Sequence, residues 1–165
     1  SLTQRTEIAN ESGASLFLSV HCNSWFSAQT GGFETYFLAP ARSESERTLQ
    51  RYENTAGGPS ADVPAGDLEF IVWDLVQNEF INESSTFAEY VQKALSDRLD
   101  IRNRGVKQAN FVVLQGARMP AVLIETAFLS NPTEERMLAD ADFHEDFARG
   151  MVDALRRMKE RYAQR

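Results

Sequence analysis

Apolar residues recur along this chain in short runs and in one-faced helical patterns, and the two alternate. Leu16-Phe17-Leu18-Ser19-Val20 is a short apolar run, which predicts a strand buried on both faces. Phe33 to Leu38 is rich in β-formers, opened by Gly31-Gly32 and closed by Pro40, and predicts a second strand. Phe111-Val112-Val113-Leu114 and Ala121-Val122-Leu123-Ile124, the latter introduced by Pro120, predict two more. Leu2 to Ser12 reads as a helix with Thr3 near its start and Gly13 as a left-handed stop. Its apolar face is thin, which suggests that chain is missing before it.

Ser43 to Tyr52 is charged and predicts a surface helix, and Thr55 to Gly66, with three Gly and two Pro, predicts a loop. From Asp67 the period is helical, with Leu68, Ile71, Val72, Leu75, Val76 and Phe80 on one face. A separate helix is expected to follow, carrying Phe87, Val91, Ala94, Leu95 and Leu99, with Thr86 and Glu89 as its capping box. Asn131-Pro132-Thr133-Glu134 is a helix start with Asn as cap, Pro at the first position and Glu three residues on. Asp142 and Glu145 predict the box of a last helix, which would bury Phe143, Phe147, Met151, Val152, Leu155, Met158 and Tyr162. Strands alternating with one-faced helices predict an α/β fold, a twisted and mainly parallel sheet flanked by helices, in one domain over residues 1–165.

Charge and composition then narrow the function. The chain has 165 residues, 17 basic and 24 acidic, for a net charge of −7. That balance disfavours duplex nucleic acid, whose binding needs clustered Lys and Arg, and an anionic membrane surface. No apolar run approaches the roughly 18–20 residues of a spanning helix, and Ser1–Asn10 does not read as a signal peptide. One cysteine, Cys22, makes an intrachain disulfide impossible.

Polar residues at the carboxyl end of an apolar strand are the place to look for chemistry in an α/β sheet. Two strands end that way, in His21-Cys22-Asn23 and in Glu125. His21 reads as a satisfied buried imidazole, or as a metal ligand or general base. Glu125 reads as a buried ion pair with Arg104 or Arg118, or as a catalytic carboxylate. Cys22 points away from His21 and is read as core. His144, among Asp142, Glu145 and Asp146, is read as a surface residue, and the acidic run Asp140–Asp146 suits a helix N-terminus. A histidine and a glutamate at strand ends suggest metal-assisted hydrolysis, yet a catalytic zinc takes three protein ligands. The residues alone offer one clear ligand.

The motifs resemble a known family. Ser19-Val20-His21-Cys22-Asn23 resembles the S-x-H-x-N segment of the zinc-dependent N-acetylmuramoyl-L-alanine amidases, the group that includes the bacterial cell-division amidases. Gly32 to Phe37 is similar to the strand that follows there, and Arg104-Gly105-Val106-Lys107 with Phe111–Leu114 to the next block. Met119 to Asn131 resembles the signature P-x-x-L-x-E-x-x-F-x-S-N in order and spacing.

The resemblance implies that His21 ligates zinc, that Glu125 is the catalytic glutamate, and that Asn23 and Asn131 bind substrate by shaping the site. It implies a peptidoglycan hydrolase that cuts the amide between N-acetylmuramic acid and L-alanine, outside the cytoplasmic membrane, with an activator protein as a possible partner. The family's first zinc histidine, in a D-P-G-H-G segment, and a glutamate ligand on the first helix would both precede Ser1. The chain is therefore expected to be the C-terminal portion of the domain, without the N-terminal strands and two of three zinc ligands. A regulatory insert, which blocks the zinc in the cell-division branch, would fall in Thr55–Gly66 or the helix after it. Two other readings stand beside this one: a catalytically incomplete peptidoglycan-binding module, and another zinc peptidase on the same scaffold.

Overall fold

A computed structural model describes residues 1–55 and 67–164, with residues 67–79 as backbone alone. In chain order the elements are α1 (Leu2–Glu11), β1 (Phe17–Asn23), β2 (Phe33–Leu38), α2 (Glu44–Thr55), α3 (Asp67–Ser96), β3 (Asn103–Ala109), a 3₁₀ turn (Val112–Leu114), β4 (Ala121–Phe128), α4 (Pro132–Leu138) and α5 (Ala141–Ala163). The fold is α/β, and its mostly parallel four-stranded sheet runs in the order β1-β4-β2-β3, flanked by helices. β4 is an interior strand and all eight of its residues are buried. β1 lies at an edge.

The described residues pack as two compact units. One draws on Ser1–Ser19, Tyr36–Ser85 and Lys107–Val122. There α1 lies against the 3₁₀ turn, and Thr6 Oγ1 donates to the Val113 carbonyl (2.9 Å). Asn54 at the end of α2 donates to the Asn110 carbonyl (3.0 Å) and accepts from the Val112 N–H (2.9 Å). Tyr36 and Phe111 meet edge to face inside it. Ser43 and Glu46 form a reciprocal box at the start of α2: Ser43 Oγ accepts from the Glu46 N–H and the Glu46 carboxylate from the Ser43 N–H.

The other unit draws on Val20–Thr35, Thr86–Val106 and Leu123–Arg165. In it α5 approaches α3 closely at Gly150, where an added Cβ would press on the fully buried Leu95. Arg98 donates two bonds to Asp153 and holds that carboxyl below its ordinary range. Glu34, nearly fully buried, accepts from Asn23 (3.1 Å) and Arg104 (2.7 Å), and the Arg104 guanidinium also lies over the Phe128 ring.

Several expected elements fall differently. Phe111–Leu114 is not a strand: Leu114 N–H bonds the Phe111 carbonyl, three residues back, and closes a buried 3₁₀ turn. A four-residue apolar run carries no period that tells strand from turn. The fourth strand is instead β3, built from polar and charged residues around Gly105. The two expected helices after Asp67 are one, α3, so Thr86 lies within it and starts nothing. No Pro or Gly interrupts residues 80–89, and Ser84 turns its hydroxyl back to the Phe80 carbonyl (2.6 Å) rather than capping. The apolar face expected over residues 68–76 and the loop 56–66 lie outside the described side chains and residues.

Caps shift as well. Ser1, not Thr3, caps α1, and Asp140, not Asp142, caps α5. Gly13 does take the positive φ (65°) expected after α1. On α5, Phe143, Met151 and Met158 are buried, but Val152 and Tyr162 are exposed. The expected burial of β1 on both faces also fails, since Val20 is 54% exposed and Cys22 is exposed. Alternation on this edge strand buries Ser19 and Asn23 and leaves Val20 and Cys22 on the open face. Cys22 is therefore not core.

Candidate metal centre

His21 falls within β1 rather than after it, on the face it shares with Ser19 and Asn23, and it is half-buried. Thr126 Oγ1 of the neighbouring β4 donates to the His21 carbonyl (2.9 Å) and lies 3.6 Å from Cys22 Sγ. Glu125 precedes Thr126 on that interior strand and has no exposed surface. The strand continues through it because apolar Ala127 and Phe128 follow, both buried.

A third residue joins them that the sequence did not single out. Glu53 lies in the last turn of α2, beside Asn54, whose two bonds to residues 110–112 fix that turn. Gln50 Oε1 adds a third tie by accepting the Asn110 N–H (2.9 Å). Ligand atoms of His21, Glu53 and Glu125 all lie within 4.8 Å of one another. An imidazole nitrogen and carboxylate oxygens are each donors that zinc accepts, so the group could hold such an ion. Two carboxylates this close, one of them fully buried, form an arrangement that a cation stabilises. The expectation of a lone ligand is thus corrected: three candidate ligands stand where sequence reading found one. A signal for Glu53 was absent because it sits in a charged amphipathic helix, 32 residues from His21, where any of several glutamates looks alike.

The remaining expected residues have structural partners. Asn23 is buried, donates to Glu34 and accepts from the Ser24 N–H (2.7 Å). Asn131 caps α4 by accepting from the Thr133 and Glu134 N–H groups, and donates to the Thr30 carbonyl (3.3 Å). Of the two arginines weighed against Glu125, Arg104 bonds Glu34 and Gly31, and Arg118 is exposed. His144 is exposed on α5, with a ring nitrogen 2.6 Å from the Leu138 carbonyl.

Residues 1–157 match the family model described as N-acetylmuramoyl-L-alanine amidase. The chain belongs to that family. It is 33% identical over 159 residues to the N-acetylmuramoyl-L-alanine amidase AmiA of Escherichia coli K12, an alignment covering 93% of this chain and 55% of AmiA. With AmiC of Escherichia coli O6:H1 it shares 30% identity over 159 residues, which is 94% of this chain and 38% of AmiC. This amidase-family chain thus spans about half, or less, of the length of the curated relatives it matches. Among solved structures, an N-acetylmuramoyl-L-alanine amidase from Clostridium difficile 630 superposes with a TM-score of 0.69 at 24% identity, covering 97% of this chain and 66% of the other. The catalytic domain of CwlV from Bacillus (Paenibacillus) polymyxa superposes with a TM-score of 0.65 at 26% identity and the same coverages. The α/β sheet with flanking helices is therefore the fold of amidase catalytic domains.

Proposed function

We propose that this chain acts on peptidoglycan as an N-acetylmuramoyl-L-alanine amidase, cutting the amide between N-acetylmuramic acid and the L-alanine of the stem peptide. The observation that carries this reading is the His21, Glu53 and Glu125 group within a chain of the amidase family. His21 and Glu53 would hold a zinc ion, with Glu125 beside it. Zinc bound there supplies an electrophile for the carbonyl and a more acidic water.

Glu125 is the general base. Its carboxylate takes the proton of the attacking water, and the protonated acid returns it to the alanine nitrogen as the amide C–N bond breaks. Complete burial fixes the carboxylate on a rigid interior strand, which keeps its geometry through both transfers. Asn23 and Asn131 act by shape: one holds the Glu34 carboxylate that Arg104 also bonds, the other ties the turn after β4 to Thr30. The substrate places the working enzyme outside the cytoplasmic membrane, and an activator protein remains part of the proposal.

Glu125→Gln keeps shape and removes the base. It is expected to lower release of stem peptides bearing free alanine amino termini by about 10²–10⁴-fold, measured on purified peptidoglycan with zinc supplied. Unchanged cleavage would overturn the mechanism. Sugar binding without cleavage by the unaltered chain would instead favour the binding-module reading, and cuts within the stem peptide would favour a peptidase.

A further inference from the structure

Phe26 is 95% exposed, the largest exposure among the described large apolar side chains. It follows β1 by three residues, on the loop between Asn23 and Phe33, and Trp25 supports it edge to face with ring centroids 5.7 Å apart. This loop is held in place. The Trp25 N–H donates to Ser130 Oγ (2.9 Å), the Ser24 N–H to Asn23 Oδ1, the Thr30 N–H to the Ser27 carbonyl, and Asn131 to the Thr30 carbonyl. Leu129, half-exposed, lies on the turn that receives these bonds, and its N–H closes on the Asn23 carbonyl (2.8 Å). An aromatic ring kept in water by a pinned loop forgoes burial that a free loop would find, which leaves its face open to a ligand.

The position says what it binds. Phe26 stands past the carboxyl ends of β1 and β4, the two strands that carry His21 and Glu125, and Glu125 is three residues, about 10 Å of strand, from Phe128. The ring thus stands at the same end of the sheet as these two residues, where a neighbouring unit of a long substrate would pass. The loop that carries the ring also carries Ser24, Ser27, Gln29 and Thr30, so the apolar side chain is accompanied by small hydroxyl and amide groups. A pyranose has the matching layout, an apolar face of axial C–H bonds bordered by hydroxyls. A protein partner would want a wider apolar surface.

We propose that Phe26, backed by Trp25, is the stacking platform for a pyranose ring of the glycan strand, a specificity-determining site apart from the metal centre. Identifying the sugar as that of peptidoglycan rests on the amidase reading above. The test is calorimetric titration of the chain with soluble peptidoglycan glycan oligosaccharides freed of stem peptides, and separately with free stem peptide. Phe26→Ala is expected to weaken glycan binding about tenfold and leave any binding of stem peptide unchanged, with Phe26→Trp restoring the glycan affinity. A side chain this exposed has little packing to lose beyond its contact with Trp25, so an unchanged melting temperature in Phe26→Ala separates recognition from folding.

Equal glycan affinity in Phe26→Ala, or no glycan binding by the unaltered chain, overturns the platform. So does a concentration-dependent dimer that Phe26→Ala abolishes, because the ring would then cover a second copy. Glycan binding that depends on Phe26 in a chain that never cleaves the amide would sink the amidase reading alone. Cleavage with glycan binding indifferent to Phe26 would sink the platform alone.

Discussion

The carboxylate of Glu134 receives the backbone N–H groups of Gly32 (2.6 Å) and Phe128 (2.7 Å), one at the start of β2 and one at the end of β4. A single buried side chain in α4 thus holds both strand ends, on the turn that also anchors the loop of Phe26. Gly31 and Gly32 follow from this. A Cβ at Gly31 would run into the Glu134 carboxylate, and Gly32 has φ near +111° with no space for a side chain beside Arg102. Glu134→Ala leaves two buried donors without an acceptor, and should cost about 2–4 kcal/mol in urea unfolding. Glu134→Gln, which keeps one acceptor oxygen, should cost less. A loss below 1 kcal/mol for the alanine variant, on the scale of an ordinary exposed site, would mean that water replaces the carboxylate. In the sequence Glu134 looks like a capping glutamate three residues past Asn131, and its spacing is right; the donors it serves are 102 and six residues away, which no local pattern contains.

At the scale of elements, α3 is the informative case. Thr86 with Glu89 three residues on predicts the start of a separate helix, whereas the chain stays helical from Asp67 to Ser96. Ser and Thr are tolerated there because their hydroxyls can return to the carbonyl four residues back, as Ser84 does. Ser85→Pro discriminates between the alternatives. Before a helix start proline is harmless, but inside a continuous helix it removes a hydrogen bond and clashes, at about 3 kcal/mol or more. We expect that larger loss in thermal or urea unfolding, and a loss under about 0.5 kcal/mol would show that the helix is broken at this point. Elements legible beforehand were those with strong local signals: β2 from Phe33 to Leu38, α4 with its Asn-Pro start, and the α5 core stripe at Phe143, Met151 and Met158. β3 was not, because Asn103–Ala109 contains one apolar β-branched residue and owes its place to pairing at the sheet edge.

For the molecule as a whole, metal binding and stability are linked. A group formed by residues 21, 53 and 125 exists only when the chain is folded, so zinc should raise the melting temperature by binding the folded state alone. At free zinc 100 times the dissociation constant the stabilisation would be about 2.7 kcal/mol. His21→Ala should abolish the zinc-dependent shift. Differential scanning calorimetry with and without chelator checks both statements. An equal zinc shift in His21→Ala would remove His21 from the ligand set.

Sequence by itself determined the α/β class, the strand that carries His21, the strand that carries Glu125, and the family to which both motifs belong. Those features are local: apolar runs, turn residues and short spaced motifs are written in consecutive positions. Only the tertiary structure decided that Glu53 reaches the same point as His21 and Glu125, that Glu134 joins β2 to β4, and that Cys22 faces outward while Asn23 is buried. Each of those depends on which strand neighbours which, and on where a helix end is clamped. A carboxylate's role is set by the groups that folding brings within a few ångströms of it, and these come from distant parts of the chain.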